Sequence, residues 1–270
     1  MPPQPLHGTY VGNNRVLIRT LWGGRILLPA DDLSLMPELV AFGTYDVPFT
    51  TFVQREIKPG DTVVDVGANV GLFTLLLGYQ VWEFGRVIAY EANPRHVELL
   101  RDNVSTNWLS DRIEIVPHAA GADAGRLTLL APRRFGMLAS LQPVEHLLVT
   151  DDRRDTVDRI EVDVEPLDAR LAGLDRIDLI KIDVEGAEEQ VFAGAERALA
   201  SGAVRRVCFE MVRESLGADW EPFVARLRGL AGDGWGFATI PDSGVPEPTT
   251  VDALVERGHF SQVLMTRAMP

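Results

Sequence analysis

The seven residues Asp65-Val66-Gly67-Ala68-Asn69-Val70-Gly71 follow the apolar pair Val63-Val64 and run into Leu72-Phe73-Thr74-Leu75-Leu76-Leu77, and Glu91 lies twenty positions beyond Gly71. An apolar strand that turns at once into a helix needs left-handed backbone and room for close approach, and glycine supplies both. An acid ending the next strand can accept two hydrogen bonds from ribose hydroxyls. This spacing constrains the chain to a strand-turn-helix built around a nucleotide-type cofactor.

The interior of the turn narrows the cofactor. A dinucleotide site presents G-x-G-x-x-G, so that free helix N–H groups face a pyrophosphate. Here the turn reads Gly-Ala-Asn-Val-Gly with Asp65 at its entry, which suits a cofactor carrying an ammonium group and no phosphate, such as S-adenosylmethionine. Asp65 either orients the turn by accepting backbone N–H groups or faces that ammonium. Asn69 either caps the following helix or donates toward the cofactor carboxylate.

From Thr62 onward, strand and helix patterns alternate: strand 62–66, helix 70–80, strand 86–91, helix 95–106 and strand 112–117, then strand 177–182, helix 187–198, strand 204–211, helix 222–231 and closing strands 236–240 and 262–266. Apolar strands joined by crossover helices predict a mostly parallel sheet covered on both faces, and the closing pair predicts an antiparallel edge. Before this unit, residues 15–20 and 25–28 read as strands and 33–42 as an amphipathic helix, a cap or lead-in over residues 1–56, with the main domain over 57–270. Residues 131–158, with Arg133-Arg134, Gly136 and Asp151 to Asp155, form a candidate lid, a substrate loop or plain disorder. Residues 241–248 read as a surface loop.

Composition excludes some partners. A net charge of -13 disfavours nucleic acid, which needs a basic face to displace counterions. No run of about 18 apolar residues occurs, and the N-terminus lacks the blocks of a signal peptide, so a soluble, cytoplasmic protein is expected. The single cysteine, Cys208, sits in an apolar run and reads as a small buried hydrophobe.

In open α/β sheets, ligands bind beyond the carboxyl ends of the strands. That rule selects Asp65 to Gly71, Glu91-Ala92-Asn93-Pro94, His118-Ala119-Ala120-Gly121, Asp183-Val184-Glu185-Gly186 and Glu210. His118 offers a general base or an adenine-side wall. Asp183 and Glu185 are two carboxylates at one strand-to-helix turn, and Glu188 and Glu189 suit the helix N-terminus.

Together these pieces resemble the FkbM-like S-adenosylmethionine-dependent methyltransferases. The matching segments are Asp65 to Gly71, Tyr90-Glu91-Ala92-Asn93-Pro94, Asn103 through Asn107, Pro117-His118-Ala119-Ala120 and Ile180-Lys181-Ile182-Asp183-Val184-Glu185-Gly186-Ala187-Glu188. The resemblance implies a doubly wound, mostly parallel seven-stranded sheet of the class I methyltransferase (Rossmann-like) type with an N-terminal cap. It also implies that Gly67, Asn69 and Gly71 line the methionine part of the cofactor, that Glu91 holds the ribose with Ala92 and Asn93 on the same loop, that His118-Ala119 borders the adenine, and that Asp183 lies beside the reactive methyl. Ala92 stands where the family has the first proline of Glu-Pro-Asn-Pro. Gly43-Thr44-Tyr45-Asp46 resembles the family's Gly-x-Tyr-Glu segment, with Asp46 for the acid and Tyr45 as a wall of the cofactor pocket or as core.

The resulting expectation is O-methyl transfer to a hydroxyl of a small molecule, a sugar or a polyketide-type natural product. Asp183 is the first candidate to take the proton, with His118 and Glu210 behind it. A divalent metal on Asp183 and Glu185 is possible but not favoured. The alternatives are a nicotinamide-dependent oxidoreductase and a non-catalytic S-adenosylmethionine-binding interaction subunit, and a homodimer is possible.

Overall fold

The computed structural model describes residues 8–141 and 156–267. The chain begins with an antiparallel meander of β1 (Thr9–Gly12), β2 (Arg15–Arg19) and β3 (Arg25–Pro29), followed by α1 (Met36–Phe42) and α2 (Val47–Glu56). The sequence patterns miss α2, although Phe49, Phe52 and Val53 carry helical spacing and are fully buried. Next come β4 (Thr62–Val66), α3 (Leu72–Val81), β5 (Arg86–Tyr90), α4 (Pro94–Thr106) and β6 (Ile113–Val116). An insertion of β7 (Ala119–Ala120), β8 (Gly125–Pro132) and β9 (Val157–Glu165) precedes α5 (Leu167–Leu171) and β10 (Leu179–Ile182). The chain then continues through α6 (Glu188–Ala193), α7 (Glu196–Ser201), β11 (Arg206–Val212), α8 (Arg213–Leu216), α9 (Trp220–Gly232), β12 (Trp235–Thr239), β13 (Glu247–Thr249), α10 (Val251–Arg257) and β14 (His259–Arg267).

The main sheet has the order β13-β12-β14-β11-β10-β4-β5-β6. The five strands from β11 to β6 are parallel, and β14 runs antiparallel to both β11 and β12. This is the expected doubly wound sheet with one addition. The three-residue β13 pairs with β12 as an eighth strand, inside the segment read as loop. Strand order reverses between β4 and β10, and the crevice there is the place for a ligand.

Alternation along each strand builds two cores. Val64, Val66, Ile180, Ile182, Val207 and Phe209 face one layer with Phe192, Phe223 and Leu227, whereas Val63, Val87, Ala89, Leu179 and Cys208 face the other with Phe49, Leu75 and Leu100. Cys208 is fully buried, as expected, and its thiol donates to Gln262 Oε1 at 2.9 Å.

Three further differences matter for the site. The segment 131–158 is bounded by strands, because β8 pairs along its whole length with β9; residues 142–155 of the expected lid lie outside the described residues. The expected helix 187–198 is two helices, since a Cβ on Gly194 would lie 2.0 Å from the Gly121 carbonyl oxygen, so the backbones meet where the helix breaks. Finally, α4 serves the N-terminal meander. Asn103 Oδ1 accepts from Leu27 N at 2.6 Å, its Nδ2 donates to Leu27 O at 3.0 Å, and Asn107 repeats the pairing on Arg25. Two side-chain amides thus satisfy the backbone edge of β3.

Candidate active site

The turn after β4 is held by backbone bonds that leave its concave side free. Gly67 N and Ala68 N donate to Tyr90 O at 3.1 and 2.8 Å. Gly67 has φ +82°, and a Cβ there would lie 1.9 Å from the Asp183 carbonyl oxygen, so no other residue fits between the β4 and β10 loops. Asn69, at φ 52°, donates its N–H to Glu91 Oε2 at 2.7 Å, while its own Oδ1 accepts from Val70 N at 2.7 Å. The amide therefore closes its own turn and does not cap α3. Glu91 Oε1 accepts from Asn93 N at 2.8 Å and lies 3.5 Å from His96 Nδ1. Both carboxylate oxygens are oriented by main chain, as a group that must receive ribose hydroxyls requires.

Across the switch point, Asp65 and Lys181 are register partners on adjacent strands, and Asp183 follows two residues later on the same face. Lys181 Nζ lies 3.4 Å from Asp65 Oδ1 and 3.3 Å from Asp183 Oδ2. Burial works against the ammonium, but the two carboxylates outweigh it and hold Lys181 above the usual lysine range. Asp65 is fully buried. Its Oδ2 accepts from Thr74 Oγ1 at 2.6 Å, and its Oδ1 makes no hydrogen bond; neither oxygen takes a backbone N–H of the turn.

One carboxylate oxygen from each of Asp183, Glu185 and Glu210 lies within 4.8 Å of the others. Burial first, and then the charge of Asp183, raises both Glu185 and Glu210 above the usual carboxylate range. Lys181 supplies a cation beside Asp183.

At the far end, His118 Nδ1 is 2.9 Å from Glu165 Oε2, and Glu165 Oε1 accepts from Tyr90 Oη at 2.9 Å and from Arg170 Nε at 3.0 Å. Burial opposes these contacts, yet together they hold Glu165 below the usual range. Three strand steps separate β6 from β10, about 14 Å at ordinary spacing, and His118, on the loop after β6, lines the same cleft as Asp183 from the far side of the sheet edge. Residues 133–141 cross the mouth between the two ends, where Ser140 Oγ donates to Glu185 O at 2.6 Å.

Of the residues expected from the sequence, Tyr45, Asp65, Gly67, Asn69, Glu91, Ala92, His118, Ala119 and Asp183 line one cleft that opens to solvent. Glu210 lies outside it, in an adjoining cavity that shares Tyr45, Phe73, Met137, Asp183 and Glu185. Two expectations need correction. Gly71 is the left-handed N-terminal residue of α3 with its Cβ position against Leu100, and Asn93 caps α4 by accepting Arg95 N at 3.1 Å; neither lines the cleft. Sequence reasoning missed His96 and Lys181. His96 lies in the first turn of α4, five residues after Glu91, and a lysine inside an apolar strand is itself a signal of a buried partner.

The sequence matches the methyltransferase FkbM domain over residues 65–227, more than half of the chain. The chain belongs to this family. The cleft fits S-adenosylmethionine: a glycine cradle closed to any side chain, an Asp65 carboxylate paired with Lys181 and a presented Glu91 carboxylate. The methyltransferase sdnD of Sordaria araneosa is 28% identical over 59% of this chain and 66% of its own length. The 31-O-demethyl-FK506 methyltransferase FkbM of Streptomyces tacrolimicus is 31% identical over 53% of this chain and 62% of its own. The match thus spans just under two thirds of either relative. A solved O-methyltransferase from Bacillus cereus in complex with SAH is 16% identical over 89% of this chain and 84% of its own, with a TM-score of 0.44.

Proposed function

We propose that this chain transfers a methyl group from S-adenosylmethionine to a hydroxyl of a small molecule, a sugar or a polyketide-type alcohol. The observation that carries this reading is the placement of Asp183. Its carboxylate belongs to both the cofactor cleft and the adjoining cavity, so an acceptor in the second space reaches a base at the boundary with the first. The FK506 relative supports the acceptor class by the alcohol oxygen in its name.

When bound, S-adenosylmethionine supplies an electrophilic methyl group. Asp65 and the Gly67–Asn69 turn hold its amino-acid part, Glu91 takes the ribose hydroxyls, and His118, fixed by Glu165, walls the adenine. Asp183 Oδ is the group that would take the proton the acceptor's hydroxyl gives up on methylation. Glu185 and Glu210, held above the usual range, donate hydrogen bonds to the same boundary. Residues 133–141 exclude water and hold the reactants together, which removes much of the entropic barrier.

Thermal unfolding with excess S-adenosylmethionine, S-adenosylhomocysteine or NAD tests the cofactor half. Ligand at a hundred times its dissociation constant adds about 2.7 kcal/mol; stabilisation by NAD alone overturns the reading. A panel of sugars and polyketide-type alcohols, scored by mass spectrometry for one added methyl, tests the acceptor. Asp183→Asn is expected to lower kcat by about a hundredfold or more while S-adenosylhomocysteine still binds. An unchanged kcat removes Asp183 from proton transfer.

A further inference from the structure

Lys181 has no role in the transfer as derived so far, yet it is the lysine among the buried polar side chains of the described residues, 2% exposed in the middle of the sheet. Burying an ammonium is expensive even when it is paired, and an apolar residue of similar volume commonly serves stability as well or better. Its place in the register row Asp65-Lys181-Cys208, above the ring of Phe73 at 5.5 Å, therefore asks for a use.

The surroundings of Asp183 supply one. Glu185 faces it from its own loop, Glu188 from the first turn of α6, Glu210 from β11, and Asp46 and the phenol of Tyr45 from the turn into α2. The thiol of Cys208 also faces it. All of these are acids or neutral groups, and Lys181 is the cation in contact. The Asp183 backbone is fastened separately, its N–H donating to Val66 O at 3.1 Å. The loop thus stays in place whatever happens to the ammonium, and the side chain does not.

We propose that Lys181 is a positioning residue for methyl transfer: its ammonium pins the Asp183 carboxylate to the cleft wall and ties it to Asp65, so that Asp183 meets the acceptor hydroxyl in one orientation. This role rests on Asp183 being the proton acceptor. Without the ammonium, the carboxylate loses its fixed partner and is free to turn toward the Glu185 and Glu210 carboxyls, while the glycine turn and Glu91 still hold the cofactor.

The test compares Lys181→Met, Lys181→Arg and Asp183→Asn with the parent enzyme, by calorimetry with S-adenosylhomocysteine and by turnover of an acceptor identified in the panel. Lys181→Met is expected to keep cofactor affinity and the KM for S-adenosylmethionine while kcat falls about a hundredfold, and Lys181→Arg restores most of that loss. Full kcat in Lys181→Met overturns the proposal, and so does a cofactor affinity that falls in step with kcat. Should Lys181→Met fail to fold, Lys181→Gln, which keeps a neutral donor beside both carboxylates, is judged by the same criteria. A slow Asp183→Asn beside a fast Lys181→Met condemns the role of Lys181 alone. A fast Asp183→Asn, or a panel in which no alcohol is methylated, condemns the underlying reading and this role with it.

Discussion

Glu188 and Glu189 are adjacent acids at the start of α6, and the sequence gives both the same task of meeting the helix dipole. The structure separates them. Glu189 forms a fork with Arg226, with both carboxylate oxygens within 2.9 Å of guanidinium nitrogens. Glu188 instead turns inward and accepts Val184 N and Gly186 N at 3.2 and 3.3 Å, bracing the loop that carries Asp183. Burial pushes Glu188 up to about 7 despite those bonds. The folded protein keeps this proton up to about pH 7, whereas the unfolded chain releases it near 4.5, so stability falls as pH rises through that window, by about 1.4 kcal/mol per pH unit for one proton. Thermal midpoints measured across the window should decline in the parent and decline less steeply in Glu188→Gln, where Glu185 and Glu210 still contribute; parallel slopes would assign the proton elsewhere. At this scale, the glycines and the strand-end acids were legible because their spacing is their chemistry. Lys181 and His96 were not, since their partners come from register and from a helical turn that a linear reading does not place in space.

Among the elements, β9 was legible and overlooked. Ile160, Val162 and Val164 alternate with Glu161, Asp163 and Glu165 in a clean period of two, which the polar stretch before them obscured. The break between α6 and α7 had no such signal. Gly194 is an ordinary helix interior glycine until the loop after β7 is brought against it, and no local pattern reports that approach. Gly194→Ala is expected to cost about 2–3 kcal/mol by overpacking, seen as a drop of roughly 4–10 °C in the thermal midpoint. A midpoint equal to the parent's would show that the Gly121 loop yields. The cofactor loops, by contrast, follow the strand-turn-helix pattern closely, because parallel strands buried on both faces are nearly continuous apolar runs with their ligand groups at one end.

For the whole molecule, topology concentrates carboxylates at one sheet edge. Strand ends that are distant in the chain, at residues 65, 183 and 210, become neighbours because β10 lies between β4 and β11. That adjacency follows from the order reversal, which the alternation of elements implied, but the crowding of Asp183, Glu185 and Glu210 follows from three-dimensional register and was only half visible in the sequence. Turnover in excess EDTA checks the electrostatic reading of that crowding: activity is expected to be undiminished. Loss of activity restored by added Mg²⁺ would make the three carboxylates a cation site. Among the described residues, no helix is long and apolar enough to cross a membrane.

The two halves of the ligand edge are fastened to different degrees. On the cofactor side, Gly67 touches the Asp183 carbonyl, and Glu91 bonds the main chain of two loops at once, so a change in any one of them disturbs the others. The adjoining cavity is walled in part by residues 239–242 and Glu247, which belong to an edge strand and its connection. On the proposed reading, substitutions in that rim can change the acceptor at little cost to the cofactor half, whereas changes in the cofactor loops propagate from one loop to the next.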